Sequence, residues 1–252
     1  MFSNQQKVIK LITFFFSELL ATATLVFLGC LGCVDNYPGF EPTHLTICLM
    51  FGFAVMMALN IFMCVSGAHI NPIISMAAVI YKLLDVFTAI IYVIGQLCGA
   101  LLGYWLVRIS IEDKYLKNPN GFCLNKPGLD IGRSFVVEFI SSFLFMLVVC
   151  SIWDPRNKHL HDSFTLKFGF VVTLLAFVGG NFGGGSMNPA RSFAPAIYNW
   201  NWENHWIYWV APTTASLAAT LIFRFGFYKA EEKVDEVFIT NIISEDKNRE
   251  EI

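Results

Sequence analysis

Charge is scarce in this chain of 252 residues: Asp, Glu, Lys and Arg make up 14% of it, against about 25% in soluble domains. The 17 basic and 19 acidic residues leave a formal net charge of -2. That balance excludes a basic nucleic-acid face and argues against steering of a charged substrate. Cysteine is limited to seven residues, an odd number placed mostly in or beside apolar runs, which does not describe an oxidised scaffold. Cys30 and Cys33 form a C-x-x-C spacing, but no histidine or second pair stands near them, so no zinc ligand set is expected. The sequence also lacks a Ser-His-Asp order, a metal cluster and a phosphate loop, so no enzyme, cofactor or metal is expected.

What is abundant is apolar: 56% of residues are hydrophobic and 15% aromatic, with a mean hydropathy of +0.57. A helix needs about 20 apolar residues to cross about 30 Å of hydrocarbon. Thr46 to Ser66 and Phe87 to Val107 contain no charge, and Leu11 to Gly32 and Ser134 to Trp153 carry one acid each. Phe168 to Phe182 and Trp206 to Phe223 complete six candidate spans. Lys7 and Lys10 ahead of an apolar run resemble the start of a signal peptide. Cleavage would discard Glu18, which has a counterpart in the second half, so the segment is read as the first span.

The chain repeats itself. Phe51-Gly52-Phe53-Ala54-Val55 recurs as Phe168-Gly169-Phe170-Val171-Val172, and Asn71-Pro72 recurs as Asn188-Pro189, both at a displacement of about 117 positions. Glu18 maps onto Glu138, and the ladder Gly95, Gly99, Gly103 onto Ala211, Ala215, Ala219. Each half therefore holds three spans and one short apolar segment. Three being odd, the second half enters from the opposite face, as in inverted-repeat membrane folds. The expected organisation is a single transmembrane channel domain over 1–252. Repeat 1 covers about 11–109, a polar connecting loop 110–130, repeat 2 about 131–228, and a cytoplasmic tail 229–252.

Asn71 to Tyr81 and Asn188 to Tyr198 are too short to span, each giving roughly 15 Å of helix. Proline suits the first helical turn and Asn is a preferred N-cap, so each Asn-Pro pair reads as a helix start aimed at the midplane. The loops before them, Ser66-Gly67-Ala68-His69-Ile70 and Gly183-Gly184-Gly185-Ser186-Met187, are small. Non-helical backbone at this depth survives only where protein buries it or water wets it. A water-filled pore meets that condition. Two half-helix N-termini would place partial positive charge at its centre, repelling cations and opposing proton transfer.

The patterns Ser-Gly-Ala-His-Ile-Asn-Pro and Met-Asn-Pro-Ala-Arg-Ser, together with Glu18, Glu138 and Gly95-Gln96, resemble the aquaporin, or major intrinsic protein, family over about 11–227. The resemblance implies an all-α membrane fold of six transmembrane helices and two re-entrant half-helices in an inverted repeat. It further implies a homotetramer with one pore per subunit, in a lipid bilayer, passing water or small uncharged solutes. Asn71, Pro72, Ile73, Asn188, Pro189 and Ala190 would form the central constriction. Ile73 stands where the family usually has alanine and is expected to add apolar bulk beside it.

The same resemblance maps an outer selectivity filter onto Phe51, Ala176, Gly185 and Arg191. Water-selective relatives carry histidine at the position of Ala176. Alanine there, with Gly185 opposite, implies a wider filter suited to glycerol or urea as well as water; strict water selectivity, an ion-coupled transporter and a junction protein on the same fold are the alternatives. Ser192 and Tyr208-Trp209 look like the water-channel branch, and this mixture resembles insect entomoglyceroporins.

Glu18 and Glu138, acids inside apolar spans and expensive there unless partnered, are expected to accept hydrogen bonds from the loops before Asn188 and Asn71. Gly67 belongs to the first pore loop; His69 is expected at the cytoplasmic pore mouth or in packing. His159 and His161 are read as solvated loop residues that could support pH gating. The Gly95 ladder reads as close helix packing, and tryptophans such as Trp105 and Trp206 as interfacial anchors. Lysine and arginine favour the side holding Lys7, Lys10, Lys82 and Arg224, which places both termini in the cytoplasm, with the plasma membrane as the expected location.

Overall fold

The computed structural model describes residues 4–35, 37–116, 122–157 and 163–228. His159, His161 and the tail at 229–252 lie outside them. Six long helices carry the fold: α1 (Asn4–Leu31), α2 (His44–Ser66), α4 (Val86–Ser110), α6 (Ile131–Ile152), α7 (Phe164–Gly183) and α9 (Ile207–Ile222). All six are long and apolar enough to cross a membrane, α9 doing so with the π-helical turn Phe223–Phe227 that extends it. Two short helices, α3 (Pro72–Ile80) and α8 (Pro189–Tyr198), occupy equivalent places in the two halves, and α5 (Asp113–Leu116) is a single turn in the connecting loop. Among the described residues there is no strand, only an isolated bridge between Tyr37 and Phe40.

Helices α2, α4 and α6 begin ahead of the uncharged stretches from which they were expected, because polar caps set their starts. Asp85 accepts from the Thr88 amide at 3.0 Å and opens α4 one residue before Phe87. Asp130 does the same for α6 at the Arg133 amide, 3.0 Å away, and Thr43 caps α2 at the Thr46 amide. A hydropathy window stops at the first polar residues; the helix stops where its free N–H groups find acceptors. Helix α1 starts at Asn4 rather than Leu11, since no Gly or Pro interrupts Asn-Gln-Gln-Lys.

Close approach of backbones organises the bundle. Helix α1 lies along α4, α6 along α9, and α2 crosses α7. A Cβ on Gly95 would stand 2.8 Å from the Phe15 carbonyl, and one on Gly99 or Gly103 would overlap the Leu19 or Ala23 carbonyl. The matching Ala211, Ala215 and Ala219 are fully buried. Gly52 and Gly169, repeat equivalents, meet each other: a Cβ on Gly169 would lie 2.9 Å from the Gly52 carbonyl. The pseudo-two-fold axis therefore passes between two residues that lack side chains. Large apolar groups such as Phe16, Ile90, Phe170 and Leu174 remain about half exposed on the outer faces. Such a surface is anomalous in water and ordinary against lipid.

Candidate channel pore and filter

A cavity of about 640 Å³ threads the bundle, from His44, Asn125 and Lys126 at one end to Trp153 and Phe164 at the other. One wall is a pair of stripes at helical spacing. Phe51, Val55, Leu59 and Met63 come from α2, and their repeat equivalents Phe168, Val172, Ala176 and Gly180 from α7. The opposite wall is backbone, the loops that precede α3 and α8.

These loops adopt the same strained path. Gly67, Ala68 and Ile70 have φ of 84°, 46° and 48°, and Gly184, Gly185 and Met187 have 109°, 60° and 50°. For Ala68, Ile70 and Met187 a left-handed backbone costs about 1–2 kcal/mol each. Two buried carboxylates offset it. Glu18 accepts from the amides of His69 (2.9 Å) and Ile70 (2.8 Å), from Ser66 Oγ (2.7 Å) and from Gln96 Nε2 (2.8 Å). Glu138 accepts from the amides of Ser186 (3.1 Å) and Met187. The acids thus serve their own halves: Glu18 holds the loop before Asn71 and Glu138 the loop before Asn188, the reverse of the expected pairing. Each acid reaches the loop before its own short helix directly, while α1 itself packs along α4 and α2, and α6 along α9 and α7.

The two half-helices are joined through their caps. Asn71 Oδ1 accepts from the Ile73 amide at 3.2 Å, and Asn188 Oδ1 accepts from those of Ala190 at 3.0 Å and Arg191 at 3.3 Å. Their amide nitrogens cross the axis: Asn71 Nδ2 donates to the Met187 carbonyl and Asn188 Nδ2 to the Ile70 carbonyl, each at 2.8 Å. One N–H of each amide is spent on the opposite half, leaving one for the cavity, which both residues line. The helix N-termini meet there, concentrating partial positive charge.

Ile73 corrects an expectation. It is 1% exposed and does not border the cavity, its carbonyl accepting from Ser216 Oγ on α9 at 3.0 Å; Ile74, one position on around the helix, borders the cavity instead. Pro72, Pro189 and Ala190 likewise shape the helix starts without facing the cavity. His69 does line it, with Nδ1 3.1 Å from Ser75 Oγ and its ring beside Tyr92 and Trp153, and Gly67 lines it as the left-handed C-cap of α2.

Phe51, Ala176, Gly185 and Arg191 all border the cavity toward its other end. The buried Arg191 guanidinium sits 4.4 Å from the Phe51 ring centroid, within cation–π range. It donates to the Cys123 carbonyl at 3.0 Å and to Asn125 Oδ1. Asn125 also accepts from Ser192 Oγ at 2.7 Å and donates to the Gly184 carbonyl at 2.6 Å. Cys123 and Asn125 thus fix the arginine, and sequence reasoning missed both because the connecting loop carries no periodicity or motif. His44 was missed too: it lines the same end of the cavity, its ring Nε2 2.9 Å from the Phe177 carbonyl, and a Cβ on Gly180 would stand 2.8 Å from its ring. Among the described residues no cluster of three His, Cys, Asp or Glu is placed to hold a metal ion.

The family model for major intrinsic protein matches residues 5–223. The chain belongs to the major intrinsic protein family. It is 33% identical to the lens fiber major intrinsic protein of Ovis aries over 222 residues, 88% of this chain and 83% of that protein. It is 37% identical to aquaporin-5 of Rattus norvegicus over 213 residues, 82% of this chain and 78% of that one. Its fold is similar to the X-ray structure of the aquaglyceroporin from Plasmodium falciparum, with a TM-score of 0.68 at 22% identity, covering 84% of this chain and 95% of that one. The protein is an integral, multi-pass membrane channel of this family.

Proposed function

We propose that this major intrinsic protein conducts water together with small uncharged solutes such as glycerol and urea, and excludes ions and protons. The observation that carries the reading is the inequality of the two stripes. Where α2 presents Leu59 and Met63, α7 presents Ala176 and Gly180. The His44 ring takes the space over Gly180, which leaves the small Ala176 on the side of Arg191, where Phe51 supplies an apolar face and the guanidinium a donor. A carbon backbone with hydroxyls fits such a mixed wall. Phe51, Ala176, Gly185 and Arg191 act as the selectivity filter, and Asn71 and Asn188 with the two helix N-termini as the charge barrier.

Lysine and arginine place the termini in the cytoplasm, and the outward apolar faces leave room for a homotetramer in the plasma membrane. The test is uptake of labelled glycerol and urea by proteoliposomes, with and without sodium or proton gradients, alongside ionic conductance. Uptake that is gradient-independent and electrically silent supports the proposal; uptake equal to that of empty liposomes, or dependent on an ion gradient, overturns it.

A further inference from the structure

A second cavity, of about 650 Å³, lies between the starts of α1 and α4, with the turn that joins α3 to α4 along one side. That volume is in the range of small-molecule sites. Lys7 and Lys10 line it from α1, Leu83 and Leu84 from the turn, and Phe87 from α4. Further along the two helices Phe14 and Tyr92 mark its deep end, their rings meeting edge to face with 5.5 Å between centroids. His69 borders this cavity and the pore alike, so the two share a wall.

The lining divides into a cationic part and an apolar part. Lys7 and Lys10, three positions apart on a helix, are neighbours on one face, and both are exposed. The Lys10 ammonium stands 5.2 Å from the centroid of the Phe14 ring. Among the described residues Asp85 is the one acid in the lining, and it is already engaged: Oδ1 accepts from the Thr88 amide at 3.0 Å and Oδ2 from the Thr88 hydroxyl at 2.5 Å. Two lysines against one capping carboxylate leave the cleft net positive, and Lys82 precedes Leu83 in the same turn. Beside these charges Leu83 and Phe87 form an apolar lip, 57% and 60% exposed.

We propose that this cleft binds an anionic phospholipid, its phosphate seated between Lys7 and Lys10 and one acyl chain laid over Leu83 and Phe87. Each part of the amphiphile then meets its complement. A free anion would leave the lip uncovered, and a zwitterionic lipid would bring its own cation toward the two lysines. Basic pockets between transmembrane helices on the cytoplasmic side are suited to such headgroups. The placement in the membrane rests on the reading that puts this end of the bundle in the cytoplasm, where the leaflet is anionic.

The test is native mass spectrometry of the detergent-solubilised full chain, titrated with phosphatidylserine or with phosphatidylcholine of the same acyl chains. Each lysine close to anionic lipid strengthens binding by about fivefold, so two of them give phosphatidylserine a preference of about 25-fold. Lys7→Ala or Lys10→Ala should each cut that preference about fivefold, while Lys7→Arg and Lys10→Arg, which keep the charge, should retain it. Lys167→Ala, at an exposed position near the start of α7 that does not border the cleft, should leave it unchanged. A photoreactive phosphatidylserine should label peptides from 7–14 and 83–92.

Equal affinity for the two lipids overturns the site. A loss in Lys167→Ala as large as that in Lys10→Ala makes the effect one of diffuse surface charge and also overturns it. Displacement of phosphatidylserine by equimolar inorganic phosphate overturns the choice of a lipid, and labelling confined to other helices overturns the placement. These measurements register neither flux nor orientation, so the lipid site fails or stands separately from the channel reading and from the cytoplasmic placement of the termini.

Discussion

Ala176→His puts a ring on the α7 wall of the proposed filter, where the side chain is a single methyl group. Ala176 is 9% exposed and faces the same cavity as Phe51, Gly185 and Arg191. One turn later on α7 the space over Gly180 is taken by the His44 ring, so the new ring turns into the cavity. The ring therefore occupies the cavity, and its volume exceeds several methylenes. A misfit of a single methylene in an apolar site is worth about 1–3 kcal/mol, or 10–200-fold, so glycerol permeability should fall at least about tenfold. Water needs less width and gains a polar contact, so its permeability should stay within about twofold of the parent. The assay is stopped-flow light scattering on proteoliposomes of matched protein content, first with an impermeant osmolyte and then with glycerol. Glycerol permeability equal to the parent's would refute the placement of residue 176 in the filter. Loss of both fluxes together would refute the claim that it acts on selectivity.

Asn125→Ala removes an acceptor from Arg191 and Ser192 and a donor from Gly184; water and glycerol permeability should both drop several-fold at equal membrane abundance, and Asn125→Asp, which keeps the acceptors, should recover most of it. Glu138→Gln leaves the amide of Ser186 or Met187 facing a donor, costing about 1–3 kcal/mol, which should appear as a lower midpoint in thermal unfolding of the detergent-solubilised protein; an unchanged midpoint would contradict the loop-anchoring role. Hydrogen bonds from the Thr88 hydroxyl and amide hold the Asp85 carboxyl below the usual carboxylate range. Because the folded value is depressed, the stabilising effect is present above the unfolded pKa of about 3.9 and is lost as pH falls through the lower folded value. The stability gap between the parent and Asp85→Asn should therefore hold steady above about pH 5 and shrink below about pH 4; a gap that widens on acidification would reverse the sign of the argument.

The bundle was legible because lipid imposes a coarse rule: long apolar stretches must be helices, and the displacement between Asn71 and Asn188 revealed the two halves. Asn71 and Asn188 were legible as caps because Asn before Pro has a local meaning that tertiary structure did not override. What escaped was side-chain direction and long-range partnership. Ile73 follows the motif proline, yet it is buried away from the cavity and Ile74, one step around a nine-residue helix, borders it instead. The acids were recognised as anchors but given to each other's loops, because spacing along the chain does not say which half folds onto itself. Asn125 and Cys123 were invisible, since a residue that reaches an arginine 66 or 68 positions away leaves no trace in its own neighbourhood. The same holds for His44, a histidine brought to the cavity from α2 rather than α7.

The central claim is that neutral solutes larger than water pass Ala176 and Gly185. The most direct measurement is the volume trace of wild-type proteoliposomes mixed rapidly with glycerol. The account predicts fast shrinkage as water leaves, then reswelling as glycerol enters with water behind it, at a rate well above that of empty liposomes. Fast shrinkage followed by reswelling no quicker than in protein-free vesicles would contradict it and make the pore a filter for water alone.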